Sequence, residues 1–174
     1  MEKDKECADV EAFQRRFGII VSGAPTHLTR RKMRERVEFL LEELEELATA
    51  AGLEIVSLAG VGRDRLAVLE RADIDPDLPL QADALVDLVY VAKGTAVSMG
   101  LPWTELWDDV HRANMAKQPG ETKRRHRVDC VKPPGWAPPR TADILAGAGY
   151  RRSSFTAGGD AGHPISEGLC HDDL

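Results

Sequence analysis

Two groups of carboxylates define the chemistry open to this chain. Glu42-Glu43-Leu44-Glu45-Glu46 lies in one segment of helical periodicity, and Asp83-Ala84-Leu85-Val86-Asp87 begins a second, otherwise apolar one. Carboxylates in apolar surroundings are costly unless a positive partner neutralises them. A hydrated divalent cation is the simplest partner, and magnesium favours carboxylate oxygens together with water and substrate phosphates. Two acidic helices brought together therefore suggest a metal site built to hold a polyphosphate.

The spacing sharpens this. On a helix turning about 100° per residue, Val37, Leu40, Leu41, Leu44 and Leu47 share one broad face. Glu42, Glu43 and Glu46 fall on the opposite face, with Phe39 one turn behind them. Alone, this is also the pattern of a solvated acidic face over a leucine core. The second segment tips the balance. Asp83, Asp87, Tyr90 and Gly94 form one stripe at i, i+4, i+7 and i+11. Leu85, Val86, Leu88, Val89, Val91, Ala92, Ala96, Val97 and Met99 fill most of the remaining circumference. A helix apolar nearly all round is expected to be buried, which favours Asp87 as a metal ligand. Asp83 also fits a first-turn charge favoured by the helix dipole. Tyr90 fits either a core position or the wall of a site.

Other residues suit the anion. His111-Arg112-Ala113-Asn114-Met115-Ala116-Lys117 puts Asn114 and Lys117 three apart on one helical face. An amide donor and an ammonium both suit phosphate oxygens, although a lysine near a helix C-terminus is also favoured by the dipole. Lys123, Arg124, Arg125, Arg127 and Lys132 form a basic segment in an acidic chain, suited to fold over a phosphate chain or to stay solvated. Trp136, between Pro134 and Pro138, reads as its packing anchor. Phe13 and Phe17 fit either core or a pocket for a base.

Helices are expected over 8–17, 30–51, 80–99, 102–117 and 140–147, with Thr29 as a cap and Gly18, Gly52 and Gly100 as stops. Residues 56–61 read as extended, 63–72 as a short helix, and 18–28 and 118–139 as loops. No sustained β alternation is present, so the class is all-α: a single domain over 1–149, then a flexible tail over 150–174. A net charge of -6 argues against nucleic acid as a partner. Cys7, Cys130 and Cys170, odd in number and widely spaced, fit reduced thiols better than a disulfide framework. A zinc site of His126, Cys130, Cys170 and His171 lacks any CxxC pair. The apolar run over 84–101 contains Asp87 and Lys93 and falls short of a membrane span. With a charged N-terminus lacking an apolar segment, a cytoplasmic location is expected, in a host cell if a phage encodes the chain.

These motifs together resemble a family. Phe39 to Leu47, reading FLLEELEEL, is similar to the EExxE helix of MazG-like nucleoside triphosphate pyrophosphohydrolases. DALVDLVYVAKG from Asp83 resembles that superfamily's second acidic helix. HRANMAK (111–117) and KPPGWAPP (132–139) resemble later signatures of the branch akin to phosphoribosyl-ATP pyrophosphohydrolase, and Phe13 to Gly18 its N-terminal aromatic segment. The likeness spans about 8–147, and the motifs in this order are specific. More distantly, the layout is similar to phage MazG-like enzymes of the MazZ type, which trim purine deoxynucleotide pools.

The resemblance implies a four-helix core completed by dimerisation, a homo-oligomer with a dimer unit, with a tetramer as the alternative. It implies magnesium or manganese, with two or more ions per site expected, and cleavage between α- and β-phosphates to a monophosphate and pyrophosphate. By position, Glu43, Glu46 and Asp87 match metal ligands. Glu42 matches a carboxylate that orients or deprotonates water or helps hold a further metal, and Asn114 and Lys117 match phosphate contacts. The common second motif, ExxD, would place Glu at position 84; here Ala84 stands there and Asp83 precedes it. The expected substrate is a purine such as dGTP, GTP or dATP, with Phe13, Phe17, Phe39 and Tyr90 as candidate pocket residues. Phosphoribosyl-ATP is the close alternative, and a non-catalytic nucleotide-binding module a more distant one. A di-iron carboxylate bundle requires Glu-x-x-His pairs, and the nearest match here is Asp108-x-x-His111.

Overall fold

The computed structural model describes residues 4–57, 66–120 and 129–151. These residues form α1 (Lys5–Arg16), α2 (Arg30–Ala50), β1 (Leu53–Ser57), β2 (Leu66–Glu70), α3 (Leu78–Ser98), α4 (Trp103–Met115), β3 (Gln118–Gly120), β4 (Asp129–Val131) and α5 (Thr141–Gly147). The fold is all-α in class, with 56% helix and two antiparallel two-stranded ribbons, β1-β2 and β3-β4. Among the described residues no single helix is long and apolar enough to cross a membrane.

Local chemistry sets the helix ends. The Asp4 carboxylate accepts from the Cys7 N–H, Thr29 Oγ1 from the Lys32 N–H at 3.2 Å, and the Asp77 carboxylate from the Leu80 N–H at 3.0 Å. Gly52 (φ 69°) ends α2, and Gly100 (φ 65°) ends α3 with the Ala24 carbonyl where a β-carbon would stand.

Helices α2 and α3 run antiparallel. At one end Gln81 Nε2 donates to the Ala50 carbonyl at 3.1 Å. At the other Arg36 Nη2 donates to the Val91 carbonyl at 2.8 Å and its Nε to Thr95 Oγ1 at 2.9 Å. Helix α1 crosses the C-terminal half of α3: buried Gln14 donates to the Gly94 carbonyl at 2.7 Å, and Lys93 is held by Asp4 at 2.6 Å and by Glu6. The apolar core there comprises Cys7, Val10 and Val97, flanked by Val21, Tyr90 and Trp103. Helix α4 turns 120° from α3 and is tied to α5 through buried Asp109, which accepts from Arg112 at 2.9 Å and from the Arg140 N–H.

Four expectations need correction. Residues 66–70, expected within a short helix, form β2, because Leu66-Ala67-Val68-Leu69-Glu70 pairs along its length with β1, Leu53 opposite Glu70 and Ser57 opposite Leu66. The expected loop over 118–139 contains β3 and β4. Apart from Ala84, the buried residues of helix α3 lie between Lys93 and Ser98: Leu85, Val86 and Val89 are 50%, 64% and 46% exposed. Likewise Val37, Leu41 and Leu44 of the expected inner face of α2 are exposed. Leu40 and Leu47 of that face do keep to the seam with α3, joined there by Arg36, Glu43 and Ala50, all intermediate or buried. Lys123, Arg124, Arg125, His126, Arg127, Cys170, His171 and the tail beyond Arg151 lie outside the described residues.

Candidate active site

The two hydrogen-bonded ends of the α2-α3 pair fix which residues face one another. With Ala50 level with Gln81 and Arg36 level with Val91 and Thr95, Glu43 falls level with Asp87, and Glu46 level with Asp83 and Ala84. Glu43 is half-buried at this seam, while Glu42, Glu46, Asp83 and Asp87 are exposed around it. Asp87 thus stands at the rim of the helix pair, rather than on a helix enclosed on all sides as its sequence surroundings imply.

Electrostatics identifies the same cluster. Burial raises the Glu43 carboxyl above the usual carboxylate range, and the charges of Glu46, Asp87, Glu42 and Asp83 raise it further. Among the described residues none of these five acids forms an ion pair. Oxygen-only donors carrying uncompensated negative charge fit magnesium or manganese. As they stand, no three acids among the described residues converge closely enough to enclose an ion.

Aromatic rings border the acids on one side. Phe13 meets Tyr90 edge-on with centroids 5.6 Å apart, and Phe13 and Phe17 lie 4.6 Å apart. Tyr90 is on the Asp83-Asp87 stripe of α3, and Phe39 lies one turn before Glu43, beneath the Arg36 guanidinium at 5.6 Å. These rings and the acids therefore share the α1 side of the α2-α3 groove.

The phosphate candidates lie on other elements. At the end of α4, Lys117 Nζ donates to Asn114 Oδ1 at 2.8 Å, and among the described residues Lys117 pairs with none of the five acids. Lys132 Nζ lies 4.3 Å from the centre of the Trp136 ring, and Trp136 Nε1 donates to the Ala113 carbonyl at 2.8 Å. The segment after β4 is thus anchored on α4 through Trp136. Ala84, where the ExxD pattern has Glu, is buried at 4% exposure.

Sequence reading passed over Arg36 and Gln14, which occupy the groove beside Gly94. The available signal was Arg36 standing seven residues before Glu43, on the same helical face. A profile of a family described as phosphoribosyl-ATP pyrophosphohydrolase matches residues 10–114, from α1 to the end of α4. No curated protein matches the chain.

Proposed function

The chain belongs to the phosphoribosyl-ATP pyrophosphohydrolase family, and on that premise we propose that it hydrolyses a purine nucleoside triphosphate to the monophosphate and pyrophosphate. Pyrophosphohydrolase chemistry on a phosphorus anhydride bond follows from the family. One observation supports that chemistry at this site: Glu43 at the α2-α3 seam with four further unpaired carboxylates around it. The nearby rings of Phe13, Phe17, Phe39 and Tyr90 support a planar base as the other half of the ligand.

In this reading Glu43, Glu46 and Asp87 hold the divalent ions, with Glu42 and Asp83 completing the donor set. When bound, magnesium or manganese neutralises the acids and brings the pKa of a coordinated water toward neutrality. Glu42 is placed to orient the attacking water and accept its proton. The water oxygen bonds to the α-phosphorus, the bond from that phosphorus to the bridging oxygen breaks, and pyrophosphate departs with the electron pair. Asn114 and Lys117 remain candidates for phosphate contacts by resemblance, and Lys132 by its charge.

The family match equally favours phosphoribosyl-ATP, which would undergo the same bond cleavage. Product analysis with each NTP, each dNTP and phosphoribosyl-ATP, in magnesium and in EDTA, separates these readings. Metal-dependent release of pyrophosphate and a monophosphate supports the reaction, and the preferred substrate selects between them. Binding without turnover would indicate a non-catalytic module, and release of orthophosphate would overturn α–β cleavage.

A further inference from the structure

Arg36 is a cation whose surroundings leave it without an anion. It is half-buried between α2 and α3, and burial lowers its pKa from the usual arginine value. Arg15, Arg31, Arg34, Arg71 and Arg112 all pair with carboxylates, whereas among the described residues Arg36 pairs with none. A half-buried charge without a counter-charge is costly.

Its orientation is fixed nonetheless. Nε is committed to Thr95 Oγ1 and Nη2 to the Val91 carbonyl, with the Phe39 ring on one side. Gly94 makes the room: a β-carbon there would stand 2.9 Å from Nη2. Among the described residues Nη1 has no partner. The guanidinium is thus held at one edge with its other edge available, the arrangement that suits forked donation to phosphate oxygens.

Its position relative to the acids completes the argument. Lys32, Arg36, Phe39, Glu43 and Glu46 follow one another at spacings of four, three, four and three residues, one continuous helical face. Along that face the charge changes sign, and Arg36 stands two turns, about 10 Å, before Glu43. A triphosphate whose α-phosphate sits at the acids carries two further phosphates that need a cation beyond the metal site.

Building on the pyrophosphohydrolase reading, we infer that Arg36 binds the β- and γ-phosphates, the pyrophosphate half of the substrate. The test is calorimetric titration of the full chain with inorganic pyrophosphate and magnesium, for wild type, Arg36→Ala and Arg36→Lys, with circular dichroism as a fold control. Arg36→Ala is expected to weaken pyrophosphate binding by about ten- to hundredfold, the loss of a charge-assisted hydrogen bond. Arg36→Lys restores part of it, and magnesium affinity measured alone is unchanged. Unaltered pyrophosphate affinity in Arg36→Ala, or none in wild type, overturns the inference. So does a change confined to monophosphate affinity or base preference, which would place Arg36 against the base. Should Arg36→Ala unfold, Arg36→Lys and Thr95→Val, which removes the Nε acceptor, carry the test, and full affinity in both overturns it. The titration needs no turnover. Arg36-dependent pyrophosphate binding with no hydrolysis of any nucleotide would leave this inference standing and remove the reaction; hydrolysis with Arg36-independent binding would do the reverse.

Discussion

At the scale of the residue, Glu43 is where stability and activity oppose one another. Its carboxyl is raised by burial and by Glu46, Asp87, Glu42 and Asp83. A raised acid holds its proton more tightly in the folded state than in the unfolded one. Its contribution to stability is therefore full below the ordinary carboxylate pKa and is lost as pH rises through the raised value. Glu43→Gln should abolish turnover. In EDTA at neutral pH it should also melt higher than wild type, by roughly 0.5 kcal/mol or a few degrees, since like charges one turn apart repel by about that much. The two melting curves should converge as pH falls toward 4, and magnesium should stabilise wild type more than the variant. Retained hydrolysis in Glu43→Gln, or a metal-free melting difference independent of pH, would count against Glu43 as the centre of the cluster. Ala84 supplies a second residue-scale test. It is buried on the same seam, so Ala84→Glu would add a carboxylate beside Glu43. The variant should lose metal-free stability by about 1–3 kcal/mol, the cost of a poorly compensated buried polar group, and regain much of it in magnesium. Failure of magnesium to restore the melting temperature would sever position 84 from the metal site. The acids themselves were legible in the sequence because i, i+3 and i, i+4 spacing fixes a helical face whatever surrounds it. That Glu43 turns inward while Leu41 and Leu44 turn outward was not, because hydrogen bonds at the two ends of the helix pair set that rotation.

At the scale of the element, the helix limits were legible because they rest on local chemistry: Thr29 caps α2, Gly52 and Gly100 end α2 and α3, and the five observed helices lie close to the expected spans. Strand β2 was not, since its structure comes from pairing with β1 across the intervening chain, a non-local contact that overrides weak local preference. Burial of α3 was misjudged for a related reason: an all-round apolar helix records every surface that covers it, and this chain alone covers half. Gly94 shows how tightly the covered half is built. A β-carbon there would lie 2.9 Å from both Arg36 Nη2 and Gln14 Nε2 and 3.5 Å from Val10. In an open helix Gly→Ala stabilises by about 0.8–1 kcal/mol. Here Gly94→Ala should instead destabilise, because it displaces the Gln14 donor from the Gly94 carbonyl and leaves a buried amide short of a partner. Chemical denaturation should show a lowered midpoint with the slope unchanged. A raised midpoint would mean that α1 moves away at little cost, and that the α1-α3 contact is looser than its geometry.

At the scale of the whole molecule, the question is what covers the other side of the α2-α3 pair. Among the described residues the buried hydrophobic ones are Cys7, Val10, Ala48, Ala50, Ala84, Ala96, Val97 and Ala113, none larger than valine. Such a core gives little to set against the conformational entropy lost on ordering five helices. Meanwhile Val37, Leu41 and Leu44 on α2, and Leu85 and Val89 on α3, are each at least 40% exposed. By helical spacing they gather on one side of the antiparallel pair, away from Glu43 and Asp87. Burying a leucine or valine side chain contributes about 1.5–3 kcal/mol, so five on each of two copies represent a substantial driving force for association. A second copy packing its own α2 and α3 against this side would complete a four-helix core and leave both acidic grooves facing outward. Sedimentation equilibrium should therefore report a dimer or a multiple of it at micromolar concentration, with a melting temperature that rises with concentration. Leu44→Asp, next to Glu43 in the chain but on the apolar side of α2, should yield monomer that melts lower and loses hydrolysis in parallel. A wild-type chain that sediments as a well-folded monomer, melting at the same temperature across a hundredfold range of concentration, would show that these side chains are stable in water and that the small core is sufficient.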